Sequence, residues 1–405
     1  MGVIINIDEA LKQRTKYNVL REPLHKMLSD TQEAWEKENP IDLIFNRGTI
    51  STFQETYTSN IGFDHAFSET SDYALGPIFN TAEGFSATYR TRTFQGSFII
   101  SQQTLEDGQY GKVKDDATQF MRRWHGDVVE YAMTAIDAGF GVERKFKGGD
   151  GTETRLKLTS ADTVDGDIAN TTKNPLFYKE HTTVKREGGT VVKQSNMFTA
   201  DIDIMGSDAG KISKLADLIN QVITKMENYR DDNGKIAGVN GAKQIVCGND
   251  PHLKAALNTA LSQETFCQGD SMFLNPAYKR AIVKTTPYLN DTECCKIGSK
   301  GFGRGFFIVD KAYNASNHGP ELTERIPLTL DVTESKRPKG IIYDGRERFD
   351  INVASWRGIV YVYLDTTSST ATDWNATAKF EKLTLVDTIV KPVSVVGTVN
   401  TKAEE

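Results

Sequence analysis

The chain contains no apolar run long enough to cross a bilayer as a helix. The longest, such as 359–364, falls far short of the roughly 20 residues a span needs. It has no excess of basic charge either. Lys and Arg number 48 against 54 Asp and Glu, a formal net charge of −6, which does not suggest a basic nucleic-acid-binding domain. Cysteine is scarce: Cys247, Cys267, Cys294 and Cys295 fit neither a zinc pattern nor a Cys-x-x-Cys redox pair. A disulfide scaffold is excluded, and reduced thiols are expected. The six histidines are scattered, with no His-Glu-x-x-His spacing. Residues 1–7 are apolar but are followed at once by Asp8, Glu9 and Lys12, so no signal peptide is expected. Met1-Gly2 lacks the Ser or Thr at position six that myristoylation needs, since Asn6 stands there. There are few prolines (11) and many glycines (33), and hydrophobic residues make up 38%. These are the proportions of a folded, water-soluble chain that is spread thin rather than packed as a compact globule. At 405 residues it has room for two or three domains, or for one elongated domain with excursions.

Enzyme motifs are missing too. There is no phosphate-binding Gly-x-x-x-x-Gly-Lys-Ser/Thr loop and no Gly-x-Ser-x-Gly elbow. Gly301-Phe302-Gly303-Arg304-Gly305 precedes a strand, whereas a dinucleotide loop follows one, so a flexible approach to that strand is the better reading. Asp201 and Asp203 share a strand face and could meet a cation, but alternation in a solvated strand explains them equally well. His125, just off the apolar stripe of its helix, has no partner one turn away and reads as a surface or interface residue. No metal, cofactor or catalytic residue is expected.

What the chain does have is a succession of contrasting segments. Residues 7–38 read as a helix that needs a partner to pack against, ended by Pro40. From 48 to 98 the composition turns to Thr, Ser, Phe, Tyr and Gly. Residues 51–58 alternate, with Phe53, Glu55 and Tyr57 on one face. Residues 85–92 alternate as well, with Phe85, Ala87, Tyr89 and Thr91 opposed to Arg90 and Arg92. Together they predict a long two-stranded hairpin, and such a hairpin is marginal in water unless something covers it. Val113, Ala117, Phe120, Trp124, Val128, Tyr131 and Ala135 then mark one long amphipathic helix, closed at Gly139 and Gly141. Residues 141–200 read as a loop or small β insertion. A helix marked by Ile212 to Tyr229, a buried strand at 244–247, a helix opened by Asn249-Asp250-Pro251, and strands at 306–309 and 326–332 predict an α+β unit. Residues 340–364 predict a β-meander. A Thr/Ser-rich break, 366–372, leads into a tail.

The order of these segments resembles the major capsid proteins of tailed bacteriophages, with their HK97-like fold. The segment carrying the resemblance most directly is Ser97-Phe98-Ile99-Ile100-Ser101-Gln102-Gln103-Thr104-Leu105-Glu106-Asp107, a strand and Leu-Glu-Asp turn ahead of the long helix; Gly84-Phe85 running into Tyr89-Arg90 resembles the returning strand of the family's extended loop. The resemblance implies an α+β, HK97-like chain. Residues 1–47 would be the N-terminal arm and 48–96 the extended β-hairpin loop. The spine helix, 112–138, would belong to the peripheral domain within 97–140, followed by the insertion 141–200. The axial domain would span 201–333, the peripheral β-meander 334–365 and the C-terminal tail 366–405. It implies a shell subunit that self-assembles into hexamers and pentamers of an icosahedral phage head around double-stranded DNA. Assembly would take place in the host bacterial cytoplasm, with a portal, decoration proteins and, because only about 47 residues precede the loop, a separate scaffolding protein. Phe53, Tyr57, Tyr89, Arg90 and Arg92 are the residues expected at contacts between subunits, although the aromatics could instead pack across their own hairpin. An encapsulin-like nanocompartment shell remains an alternative. So does an unrelated α+β enzyme using Cys294 or Cys295 as nucleophile.

Overall fold

A computed structural model describes residues 4–12, 15–62, 82–185, 191–202, 209–268, 271–290, 305–336, 339–365, 380–383 and 385. The fold is mixed α+β, as expected, and is built on two larger sheets.

The first sheet has five strands. Glu321–Lys336 and Lys339–Asn352 form a long antiparallel ribbon, and Arg92–Ser101 adds to its free side. Ile4–Ile7 and Asn46–Thr49 lie parallel to different stretches of Glu321–Lys336, at its other edge. Alternation decides which face is covered. Leu328, Leu330, Val332, Ile341, Tyr343 and Ile100 are buried together with one side of two helices. Thr15–Lys37 contributes Tyr17, Leu20, Leu24 and Leu28, spaced by three and four residues. Tyr110–Ala138 contributes Val113, Ala117 and Met121. The ribbon's register shifts on both sides of Ile326, next to Pro327, a residue that cannot donate to a ladder and is tolerated at such an irregularity.

The second sheet has six strands in the order Ala281–Thr285, Lys243–Cys247, Gly305–Asp310, Ile359–Asp365, Met197–Asp201 and Glu381–Lys382. Its central strands are apolar without alternation. Phe306 to Val309 and Ile359 to Leu364 are all buried, as a strand covered on both faces requires. Helices Ala209–Glu227 and Pro251–Ser262 belong to the same core. The second opens as its sequence predicts: Asp250 accepts from the His252 amide at 2.9 Å, and Pro251 occupies the first helical turn.

Tyr110–Ala138 joins the two halves. Twenty-nine residues at about 1.5 Å each reach roughly 43 Å. Its first half buries a stripe, as expected. From Tyr131 to Ala138 it is buried on every side, because this half runs into the core of the six-stranded sheet.

Two features differ from the sequence reading, and a third is one that it leaves open. The strand expected at 326–332 within the α+β unit is the middle of a 16-residue strand of the other sheet. Residues 340–364 do not form a meander: Lys339–Asn352 and Ile359–Asp365 belong to different sheets, and the turn through Trp356 carries the chain across. Residues 141–200 are a β insertion of three small antiparallel pairs, Arg144–Lys147 with Glu153–Leu156, Thr159–Thr163 with Lys173–Pro175, and His181–Thr182 with Lys193–Gln194. The region's last strand, Met197–Asp201, enters the six-stranded sheet parallel to Ile359–Asp365.

Candidate functional site

Outside both larger sheets stands the hairpin Gln54–Gly62 with Ala82–Arg90. Gln54 pairs with Arg90, Glu55 with Tyr89 and Tyr57 with Ala87. Its two faces are unlike. On the inner face Phe85, Ala87 and Tyr89 are buried against Ala161 and Val184 of the β insertion. Tyr57 meets Tyr89 edge-on at 4.6 Å and lies 4.2 Å from the His318 ring. The Tyr89 hydroxyl donates to the His318 carbonyl at 3.3 Å, and the Tyr57 hydroxyl to Glu55 at 2.9 Å. Burial, reinforced by Glu55, pushes the Tyr57 phenol up to about 12. Ser59 donates to Asp232, whose other oxygen holds the buried Arg357 guanidinium at 2.7 Å. Gly84 sits under Ser59 so closely that a Cβ would collide with the Ser59 hydroxyl, so a side chain there would turn that hydroxyl away from Asp232.

The hairpin's root is therefore fixed to its own chain, and the cover that its inner face needs is intramolecular. The outer face, with Gln54, Thr56, Thr58, Thr88 and Arg90, is exposed. Phe53, in the bend before the first strand, is 54% exposed. Of the five expected contact residues, Tyr89 is buried and Tyr57 half-buried within the chain, while Phe53, Arg90 and Arg92 reach the surface. The last two line a recess of about 410 Å³ beside the root, together with Phe53 and Lys157. The Arg92 Nε donates to Asp350 at 2.9 Å, and the other Asp350 oxygen accepts from Tyr131 at 2.6 Å. Sequence reasoning missed Lys157, which lies in the insertion and approaches the hairpin only in the fold.

Among the described residues, the chemistry-bearing side chains singled out from the sequence do not converge. Asp201 pairs with Lys382 at 2.6 Å, and Asp203 lies outside the described residues, as do Cys294 and Cys295 and the loop 301–304. Among the described residues no three His, Cys, Asp or Glu side chains are grouped to hold a metal. Among them, too, no helix is long and apolar enough to cross a membrane. Cys247 is buried, and its thiol is pushed up to about 11 by desolvation, the opposite of an activated nucleophile.

His125 is not a surface residue. Its ring stacks on Trp35 at 4.3 Å, and its Nε2 is 2.6 Å from the Gln32 amide oxygen. Burial pulls it down to about 4. In the same layer Glu347 accepts from the Trp124 indole at 2.6 Å, and burial pushes it up to about 7.

No family model matches the chain, and no curated protein matches it. Among solved structures it is similar to the capsid of the cyanophage P-SCSP1u, with 8% identity and a TM-score of 0.42 over 80% of this chain and 87% of that one. It is similar to Mycobacterium phage Patience, with 10% identity and a TM-score of 0.42 over 94% and 98% of the two chains. A virus-like particle from Pyrococcus furiosus is similar at 9% identity and a TM-score of 0.42, over 84% of this chain and 99% of that chain.

Proposed function

We propose that this chain is a shell subunit, the major capsid protein of a tailed bacteriophage, assembling as hexamers and pentamers around double-stranded DNA. The observation that carries the reading is the two-faced hairpin. Its inner face is locked to its own chain by Tyr57, Tyr89 and Ser59, while its outer face and the exposed Phe53 are left for a neighbour. A ribbon anchored at its root and open along its outer face suits lateral contact between identical copies, where weak contacts add up around closed symmetry. In this reading the five-stranded sheet and the first half of the long helix form the peripheral layer. The six-stranded sheet with its two helices forms the axial unit. Phe53, Arg90 and Arg92 make the contact between subunits, and Tyr57 and Tyr89 are the platform that holds them. The subunit's work is mechanical and needs no cofactor. A net charge of −6 suits a wall that confines DNA without gripping its phosphates. A scaffolding protein, a portal and decoration proteins would be separate chains, and the finished location is the virion.

Size-exclusion chromatography followed by negative-stain microscopy tests the assignment. Particles tens of nanometres across are expected, and a stable monomer as the sole species would sink it. Double-stranded DNA inside supports a phage head, and protein cargo inside would favour the encapsulin-like alternative. The chain has no lysine between Lys37 and Lys112, so a lysine-based covalent cross-link from the hairpin is not expected. Boiled particles should run as single chains on a denaturing gel, whereas a ladder of multimers would contradict this.

A further inference from the structure

We propose that the recess beside the hairpin root is a receptor for a carboxylate-bearing segment of a second copy of this chain. The inference rests on the shell reading above and adds the chemistry of the contact.

Three cationic side chains, Arg90, Arg92 and Lys157, line one half-open recess with a single carboxylate, Asp350. Both Asp350 oxygens are already used, one by Arg92 Nε and the other by Tyr131 and the Ile351 amide. Among the described residues that carboxylate offsets one cation and leaves two uncompensated. Among the described residues Arg90 donates from its side chain only through Nε, to Gln54 at 3.0 Å, so its forked NH₂ pair stays available. Among the same residues Lys157 is exposed and has no hydrogen-bond or ion-pair partner.

A carboxylate fits better than nucleic acid. Phosphate tracking needs a stripe of basic groups along a surface, whereas this is one walled recess on a chain of net charge −6. The same excess of acid makes copies of the chain an ample source of carboxylates. The recess opens beside Phe53 and Arg90, where the shell reading already places a neighbour. A guanidinium fork and an ammonium around one carboxylate give a charge-assisted contact that fixes register as well as adding affinity.

Zero-length carbodiimide coupling on assembled particles tests this. The reagent joins an amine to a carboxylate in contact with it, with loss of water. Particles are grown from an equal mixture of ¹⁴N- and ¹⁵N-labelled chains, and coupled peptides are read by mass spectrometry. The expected result is Lys157 joined to an Asp or Glu in mixed-isotope pairs, which only two different copies can give. Intact particles whose other lysines couple while Lys157 gives only single-isotope products, or none, would overturn the recess and leave the shell reading standing. Failure of the mixture to form particles would overturn the shell reading and this inference with it. In parallel, the Arg90→Glu, Lys157→Glu double variant should lower particle yield roughly tenfold or more while the free subunit melts within about 2 °C of the parent. An undiminished yield would count against the proposal.

Discussion

Lys243→Met should destabilise the subunit by about 3–5 kcal/mol, the cost of leaving a buried charge without its partner. Lys243 and Asp310 are both almost fully buried in the six-stranded sheet, with Nζ and Oδ2 2.7 Å apart. The pair is saturated. The ammonium also donates to the carbonyls of Val239 at 2.8 Å and Gly241 at 2.9 Å. Asp310 accepts from the Gly241 amide at 2.8 Å, and from the Tyr313 amide at 2.9 Å as the cap of the helix Lys311–Ser316. Methionine matches the lysine stem in volume but leaves a carboxylate and two carbonyls facing an apolar side chain. Adding Asp310→Asn to Lys243→Met should cost less than the sum of the two single changes, because the second removes the charge the first orphaned. Urea unfolding of the four proteins measures this. A loss below about 1 kcal/mol for Lys243→Met would show that the pair is hydrated in solution.

The second large effect concerns pH. Glu347, raised to about 7 by burial, holds its proton in the folded chain where the unfolded chain has lost it. Its contribution is fully present below the unfolded value of 4.5 and is lost as pH rises toward 7. His125, lowered to about 4 by burial, has the opposite sign. Its contribution is present above the unfolded value of 6.5 and is lost as pH falls toward 4. Between pH 4.5 and 6.5 the two slopes oppose each other and nearly cancel. Each is about 1.4 kcal/mol per pH unit at most. Glu347→Gln should therefore gain stability relative to the parent as pH rises through this window, and His125→Gln should lose it. Each relative shift should total up to about 3 kcal/mol. Parallel stability–pH curves for parent and variants would rule out the buried titrations.

These two cases show what could be read from sequence and what could not. The helix Pro251–Ser262 and the alternation of Tyr57 and Tyr89 were legible because their causes are local: a capping Asp before Pro, and a period of two. Lys243 falls outside the strand expected at 244–247, because nothing near it in sequence supplies a counter-charge, and Asp310 lies 67 residues on. His125 looked solvent-facing because its neighbours Trp35 and Gln32 come from a helix about 90 residues earlier. The strand Ile359–Asp365 read as the end of a meander because sequence order favours neighbours, yet it pairs with Gly305–Asp310 and Met197–Asp201. At the hairpin root the same limit applied. Phe53, Arg90 and Arg92 announce themselves by type in an extended segment, whereas Lys157 joins them only through the insertion's fold.

The central claim is that the hairpin of one copy reaches a neighbouring copy within a closed shell. A cryo-electron-microscopy reconstruction of the purified particles tests it most directly. The expected map is an icosahedral shell of hexamers and pentamers, with the outer face of each hairpin against another subunit and Phe53 covered at that contact. A shell in which the hairpins stand free of their neighbours, or a sample that stays monomeric under every assembly condition, would contradict it.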